Sequence, residues 1–400
     1  MRCTAIESVT SGRTEEPDMK NLTLLAFPAL LLTCGLTPAV SRADFVQTDL
    51  VSDIPSLAPQ TDPDLKNPWG MSFGAKTPIW VSNQGSNTST LYDPLAVPIK
   101  VNLTVDTPTG AGPPTGPTGQ VFNSTASDFM IPAPSGTTVR AIFLFATLQG
   151  TIEGWNPGSN GGLLNAEIVA SVPHGVLTGL TLDSVGGTNY LYAADATGSI
   201  RVFSGSFGDV TNTTFAGKFV DPNPVAGFRP YNIQNLGGDL FVTYAAATSM
   251  GAPLAGGYVD EYDAAGNFIQ RIATGGPLNA PWGLTLAPMG FGSLGGDLLV
   301  GNLFNSTIDA FNLSNHNHLD GSITINTGST SPVGLWALDF GNGVTGNNNT
   351  LYFTAGVNNL KDGLFGAINS VPEPDYLGLF VPGIAGLLIY RLRRERMRSA

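Results

Sequence analysis

Thiol chemistry is closed to the body of this chain. Cys3 and Cys34 are its only cysteines, and both lie ahead of Ala43, in a part expected to be removed, so neither a disulfide nor a cysteine nucleophile serves the remainder. Histidine is nearly as scarce. His174, His316 and His318 are the only three, no Gly-x-Ser-x-Gly elbow is present, and a serine-hydrolase triad has nothing to be built from. Charged residues make up 12% of the chain. Residues 44–370 hold 9 basic and 23 acidic side chains, a net of −14, with no basic stripe; such a surface excludes nucleic acid and favours cations or neutral sugars. No stretch of this body shows the 3.6-residue apolar period of a helix. The Gly-rich segments Leu294-Gly295-Gly296-Asp297 and Leu236-Gly237-Gly238-Asp239 precede strands, so they are turns and not phosphate loops.

What the chain has is repetition. Asn67-Pro68-Trp69-Gly70-Met71-Ser72-Phe73 is followed by Ile79-Trp80-Val81-Ser82-Asn83 and Thr90-Leu91-Tyr92-Asp93. The pattern returns at Ala280-Pro281-Trp282-Gly283-Leu284, at Pro332-Val333-Gly334-Leu335-Trp336, and more weakly at Leu177-Thr178-Gly179-Leu180. Pro117-Thr118-Gly119-Gln120 and Pro230-Tyr231-Asn232-Ile233 complete the set, with Asn232 standing where glycine is expected. The anchors 68, 117, 177, 230, 281 and 332 are spaced by 49, 60, 53, 51 and 51 residues, a period of propellers and arrays. Each unit offers three or four short strands joined by Gly, Asn and Asp turns. One such sheet cannot bury both faces, but six arranged radially bury them on one another and leave a central channel. The fold class is therefore all-β, a six-bladed β-propeller over residues 44–370. The alternating stretch Asp44-Phe45-Val46-Gln47-Thr48-Asp49-Leu50 is expected to complete the last blade and seal the ring.

The ends read differently. Residues 1–18 are polar and read as an extension ahead of a true start at Met19. Residues 19–43 read as a signal peptide, with one Lys, an apolar run from Leu22 to Leu36 and small residues before a cut after Ala43. At the other end, 371–400, Val371-Pro372-Glu373-Pro374 precedes an apolar run from Tyr376 to Tyr390 and then a basic cluster that includes Arg391, Arg393 and Arg394. About 15 residues is short of the ~20 of a comfortable span, and the basic end should stay cytoplasmic.

This tripartite tail resembles the PEP-CTERM sorting signal of Gram-negative bacteria. The resemblance implies that an exosortase reads Pro372, Glu373 and Pro374, that the membrane segment 376–390 inserts transiently in the inner membrane, and that the body is released outside, in species that make extracellular polysaccharide. The body, from Phe45 to Ser52, Asn67 to Gly70 and the further copies, resembles an uncharacterised family of exported propellers carrying such tails. Its blades are more distantly similar to NHL and SMP-30-type propellers. The SMP-30 likeness implies an enzyme reading, in which oxygen ligands from separate blades hold a divalent cation in the channel and a lactone or ester is hydrolysed. Asn83, Asp195 and Asn302 recur at the ends of second strands, with Asn67 and Asn279 beside the anchors, and oxygen ligands suit Ca²⁺. The family's Glu has no counterpart, since Glu153 and Glu261 fall on outer strands. The alternative role for the three second-strand residues is to cap turns by side-chain to backbone bonds.

Trp69, Trp282 and Trp336 lie on innermost strands, either stacking on sugar rings at a channel mouth or wedging between blades. His316 and His318, beside Asp320, are half of a metal site if they share one strand face, or a solvated loop. The expected function is a non-catalytic binding or scaffold protein of the cell surface or extracellular matrix, with a carbohydrate or protein partner and no required cofactor. The second expectation is the Ca²⁺-dependent hydrolase.

Overall fold

The computed structural model describes residues 45–371 apart from 98, 109–114, 247–255 and 329–333, together with residue 396. The readings of residues 1–43, of Pro372, Glu373 and Pro374, of 376–390 and of Arg391, Arg393 and Arg394 lie outside the described residues. Among the described residues no helix is long and apolar enough to cross a membrane.

The repeats form antiparallel sheets. The first blade passes from Pro68–Ser72 through Ile79–Asn83 and Thr88–Tyr92 to Lys100–Asp106. The second is Pro117–Phe122, Phe143–Thr147, Thr151–Trp155 and Glu167–Ser171. A hairpin that the repeat pattern did not reveal, Met130–Ala133 with Thr137–Arg140, is inserted after its first strand. The third blade has three strands, Leu177–Val185, Thr188–Asp195 and Ser199–Ser204. Its open edge is partly covered by a turn in which Val210 N–H donates to Val202 O at 2.8 Å. The fourth, Phe228–Leu236, Asp239–Ala246, Tyr258–Asp263 and Phe268–Thr274, is a full four-stranded sheet despite Asn232. The fifth is Pro281–Leu286, Leu298–Asn302, Thr307–Asn312 and His318–Thr324. The sixth consists of Leu335–Phe340, Thr350–Val357 and Asp362–Ser370, closed by the N-terminal strand Phe45–Ser52 as its fourth member. That is the sealing role expected of the N-terminal stretch. Among the described residues from 45 to 371, helix is limited to two short 3-10 turns, Pro134–Gly136 and Gly292–Leu294.

The six first strands stand side by side around an axis, each touching the next and the sixth touching the first. Such an approach leaves no room for side chains where the strands meet. A Cβ on Gly119 would lie 2.4 Å from Leu180 N, and one on Gly179 would lie 2.7 Å from the Cα of Asn232. Asn232 is accommodated because its neighbour is Gly179, and its Nδ2 donates to Trp282 O at 2.8 Å, tying the fourth blade to the fifth.

Every inner strand also slips register just after its anchor, between Pro68 and Met71, Leu177 and Gly179, Pro230 and Asn232, Pro281 and Gly283, and Leu335 and Leu338; in the second blade the slip falls between Phe145 and Thr147 of the partner strand. A bulge adds a residue and turns its side chain aside. By this register the sixth inner strand is anchored at Leu335, which pairs with Ala355 as Pro281 pairs with Asn302, while Pro332 lies outside the described residues. The apolar run Pro-Val-Gly-Leu-Trp offers two anchor positions, and only cross-strand pairing separates them.

Candidate functional site

The residue after each anchor is the one the bulge releases, and in four blades it is aromatic: Trp69, Tyr231, Trp282 and Trp336. In the second and third blades it is Thr118 and Thr178. The four rings meet at the axis. Trp69 stacks on Trp336 with centroids 3.7 Å apart, Trp282 meets Trp336 edge-on at 5.8 Å, and Tyr231 lies 6.2 Å from Trp69 and 6.1 Å from Trp336. Trp336 is fully buried, and Trp69 and Trp282 are nearly so. Trp336 Nε1 donates to Asn67 Oδ1 at 3.0 Å, and Trp282 Nε1 donates to Thr178 O at 3.0 Å, while Trp69 Nε1 finds no partner among the described residues. Burial pushes the Tyr231 phenol well above its ordinary range. Trp69, Trp282 and Trp336, from the first, fifth and sixth blades, are buried and packed on one another where the inner strands meet. Tyr231 belongs with them, and the signal that finds it is its position directly after Pro230. Beyond these rings the axis is a cleft lined by Gln120, Asn232, Gln234, Leu284 and Leu338, with room for about one water.

Asn83, Asp195 and Asn302 do end the second strands of their blades, and all three are fully buried. Each serves its own turn. Asp195 Oδ1 accepts from the N–H groups of Val176 at 3.1 Å and Thr197 at 2.9 Å, and its Oδ2 accepts from Arg201 Nε at 3.0 Å. Asn302 Oδ1 accepts from Asn279 N–H at 2.8 Å, and its Nδ2 donates to Thr307 O at 3.2 Å and Asp309 Oδ2 at 2.7 Å. Asn83 Nδ2 donates to the hydroxyls of Thr88 at 3.2 Å and Thr90 at 2.9 Å. Asn67 bridges Trp336 Nε1 and Gln84 Oε1. Asp195 and Asn302 thus bond turn groups of their own blades as the capping alternative requires, Asn83 bonds two neighbouring hydroxyls through Nδ2 while its buried Oδ1 has no partner among the described residues, and Asn67 ties the first blade to the sixth.

His316 sits in the turn before the outer strand with φ of 53°, while His318 begins the strand, exposed, with Nδ1 2.8 Å from Asp320 Oδ1. The two imidazoles therefore do not share a strand face, because the Asn-rich turn runs to residue 317. Among the described residues no three His, Cys, Asp or Glu side chains gather as a metal site would require.

Glu153 is on the third strand of its blade, as the repeat pattern requires, and is fully buried. Its Oε1 accepts from Thr151 at 3.2 Å, its Oε2 has no partner among the described residues, and burial pushes its carboxyl up to about 8. Burial likewise raises Asp339 to about 7. An acid whose folded pKa exceeds its unfolded value of 4.5 holds its proton in the native state while the unfolded chain releases it, so stability falls as pH rises from about 4.5 to about 8. Glu153→Gln should therefore change the melting temperature little at pH 5 and raise it at pH 9, with scanning calorimetry at both pH values as the check. An equal shift at both would show that the carboxyl is not the cause.

No protein-family model matches the chain. The uncharacterized protein R648 of Acanthamoeba polyphaga mimivirus is 31% identical over 374 residues, covering 86% of each chain. The chain belongs to the family of that protein. A second member from the same virus, the uncharacterized protein L690, is 28% identical over 370 residues, covering 85% of this chain and 92% of its own. Among solved structures, the α-L-arabinofuranosidase Arb93A of Fusarium graminearum matches with a TM-score of 0.47 and 11% identity over 83% of this chain and 99% of that one.

Proposed function

We propose that this protein is a non-catalytic binding or scaffold propeller, exported and sorted through its PEP-CTERM-like tail by an exosortase-type system, with a carbohydrate or protein partner outside the cell. The observation that carries this reading is the filling of the axis. Where a channel enzyme would array polar ligands and a substrate path, Trp69, Tyr231, Trp282 and Trp336 pack against one another. The Asp195 carboxylate and the Asn302 carboxamide that a cation would need are engaged in their own turns, and Asn67 Oδ1 accepts from Trp336. The net charge of −14 over residues 44–370 adds that the partner is neither nucleic acid nor an anionic surface.

Calorimetric titration of the EGTA-treated protein with Ca²⁺ tests it, alongside the Asp195→Ala and Asn302→Ala variants. The expected result is no saturable heat for any of the three proteins, with each variant melting lower by the equivalent of about 1–3 kcal/mol, since each leaves turn N–H or guanidinium groups without acceptors. A single tight Ca²⁺ site lost in both variants would replace this reading with the Ca²⁺-dependent lactone or ester hydrolase.

A further inference from the structure

The turns of a propeller divide between two faces. On the face opposite the aromatic cluster the inner strands end, and there the chain also enters and leaves the ring, since Phe45 pairs with Ser370. Four apolar side chains project from turns on this face: Val97 is 99% exposed, Met289 82%, Leu95 64% and Val344 61%. They stand on three adjacent blades. Leu95 and Val97 lie between the third and fourth strands of the first blade, and Met289 and Val344 lie between the first and second strands of the fifth and sixth. Val46 and Val371, also exposed, flank the entry and exit. Among the described residues no turn of the other face exposes a large apolar side chain, and others, such as Ile168, Ile269 and Leu319, lie on outer strands.

Each tip is set by its own turn. Asp93 Oδ1 accepts from Leu95 N–H and Asp93 O from Ala96 N–H, both at 3.0 Å; Asn342 Oδ1 accepts from Val344 N–H at 2.9 Å, and Phe291 N–H donates to Pro288 O at 2.9 Å. The turns are also joined into one surface. Thr345 Oγ1 donates to Thr77 O at 2.6 Å and Asn342 Nδ2 to Gly74 O at 3.3 Å, tying the sixth blade to the first, while Phe291 packs 4.8 Å from Phe340 and 4.9 Å from Phe45, tying the fifth to the sixth.

Single exposed apolar residues are common on any surface, but charge sets this sector apart as well. Its turns 73–78, 93–99, 287–296, 313–317 and 341–349 hold one basic and one acidic residue, Lys76 and Asp93, in a body of net −14. On the third and fourth blades the same face is acidic, with Asp183, Asp209, Asp239 and Asp263 at strand ends and turns, outnumbering Arg201 and Lys218, which meet Asp209 and Asn267. The sequence beyond the ring indicates what the neutral sector meets. Residues 371–375 reach at most about 18 Å even fully extended before the apolar run from Tyr376 to Tyr390 begins. Wherever that run is held in lipid, this sector is held beside the lipid surface. Its Val, Leu and Met side chains can enter the headgroup region without taking a charge out of water, which the acidic blades cannot do.

We propose that the sector formed by the fifth, sixth and first blades docks on a phospholipid bilayer while the tail is inserted, with Leu95, Val97, Met289 and Val344 entering the headgroup region and the third and fourth blades tilted away. The inference rests on the reading of 376–390 as a membrane segment and gives the body an orientation before its release. The test uses the full chain with Cys3→Ser and Cys34→Ser, so that each added cysteine is the only one, and phosphatidylcholine vesicles carrying a nitroxide lipid. Fluorescent labels on Val97→Cys, Met289→Cys and Val344→Cys report the sector, and labels on Ser206→Cys and Thr197→Cys report the acidic blades and the opposite face. Flotation with the vesicles that is lost on Ile384→Arg with Leu387→Arg identifies the tail as the anchor. In floating protein the labels at 97, 289 and 344 should be quenched at least about threefold more than those at 206 and 197. Val97→Asp with Met289→Asp should reduce quenching at 344 at least about threefold while flotation and melting temperature hold. Equal quenching at all five positions would overturn the docking and leave the tail reading standing. Protein that does not float, or floats despite the two arginines, removes the tail reading and the docking with it. Emission at 97, 289 and 344 already shifted to the blue without vesicles would give the sector to a second copy or to the chain's own apolar run, and would overturn the docking too.

Discussion

Deleting residues 44–52 is expected to lower the melting temperature by about 10 °C or more, or to abolish a single cooperative transition. The deleted strand pairs with Asp362–Ser370 at seven positions from Phe45↔Ser370 to Ser52↔Leu364. It also reaches across to the fifth blade, where Gln47 Nε2 donates to Asn326 O at 2.7 Å, Asn326 N–H donates back to Gln47 Oε1 at 2.8 Å, and the Phe45 ring packs 4.9 Å from that of Phe291. Val51 is fully buried, and Ser52 Oγ donates to Gly363 O at 2.7 Å. Losing the strand unseals the ring and bares the edge of the sixth blade at Phe365 and Leu364, both fully buried in the intact protein. A net loss of about 5 kcal/mol would give a shift of this size in a domain somewhat smaller than this one. Differential scanning calorimetry of the deletion beside the parent is the measurement, and a melting point within about 2 °C of the parent would refute the sealing role.

Trp336→Ala should cost about 3–5 kcal/mol, the usual range for removing a buried Trp. The side chain is fully buried, stacked on Trp69 and bonded to Asn67. The same variant should shift the fluorescence of the remaining tryptophans to the red, because Trp69 and Trp282 lose the ring that covers them. Denaturant unfolding followed by fluorescence reads both effects at once. Trp336→Phe should recover most of the stability; equal losses for Ala and Phe would mean that the Asn67 bond, and not the stacking, carries the effect.

How much of this was legible depends on what each feature is written in. The blades are written in local alternation and turn residues, so their number, their order and the sealing strand follow from the chain alone. The role of Trp69, Trp282 and Trp336 is not, because it hangs on a bulge that rotates the residue after the anchor toward the axis, and a bulge is a property of two paired strands. The same blindness hid Leu335 as the residue that anchors the sixth inner strand by pairing with Ala355. Asn83, Asp195 and Asn302 were recognised as equivalent, but ligand and turn cap use the same atoms, and only the partners at 2.7–3.2 Å distinguish them. The apolar sector carries no motif at all: Val97, Met289 and Val344 come from three repeats and share a face only when the ring is built.

The pairing of Phe45 with Ser370 also sets an order of events in time. Synthesis proceeds from the N-terminus, so the sealing strand is made first and the strand that receives it last among the blades. Until that partner arrives, Phe45–Ser52 has pairing only at Val51 and Ser52, with Gln60–Thr61, and keeps an open edge along its length, and five blades can form while the ring gapes between the first and the sixth. Contacts of such long sequence separation are slow to form, and open edges of this kind recruit other chains. The interval between completion of the fifth blade and capture of the first strand is thus when each molecule is most exposed to its neighbours, and any factor that shields that one edge would raise the yield of closed rings without touching a single native contact.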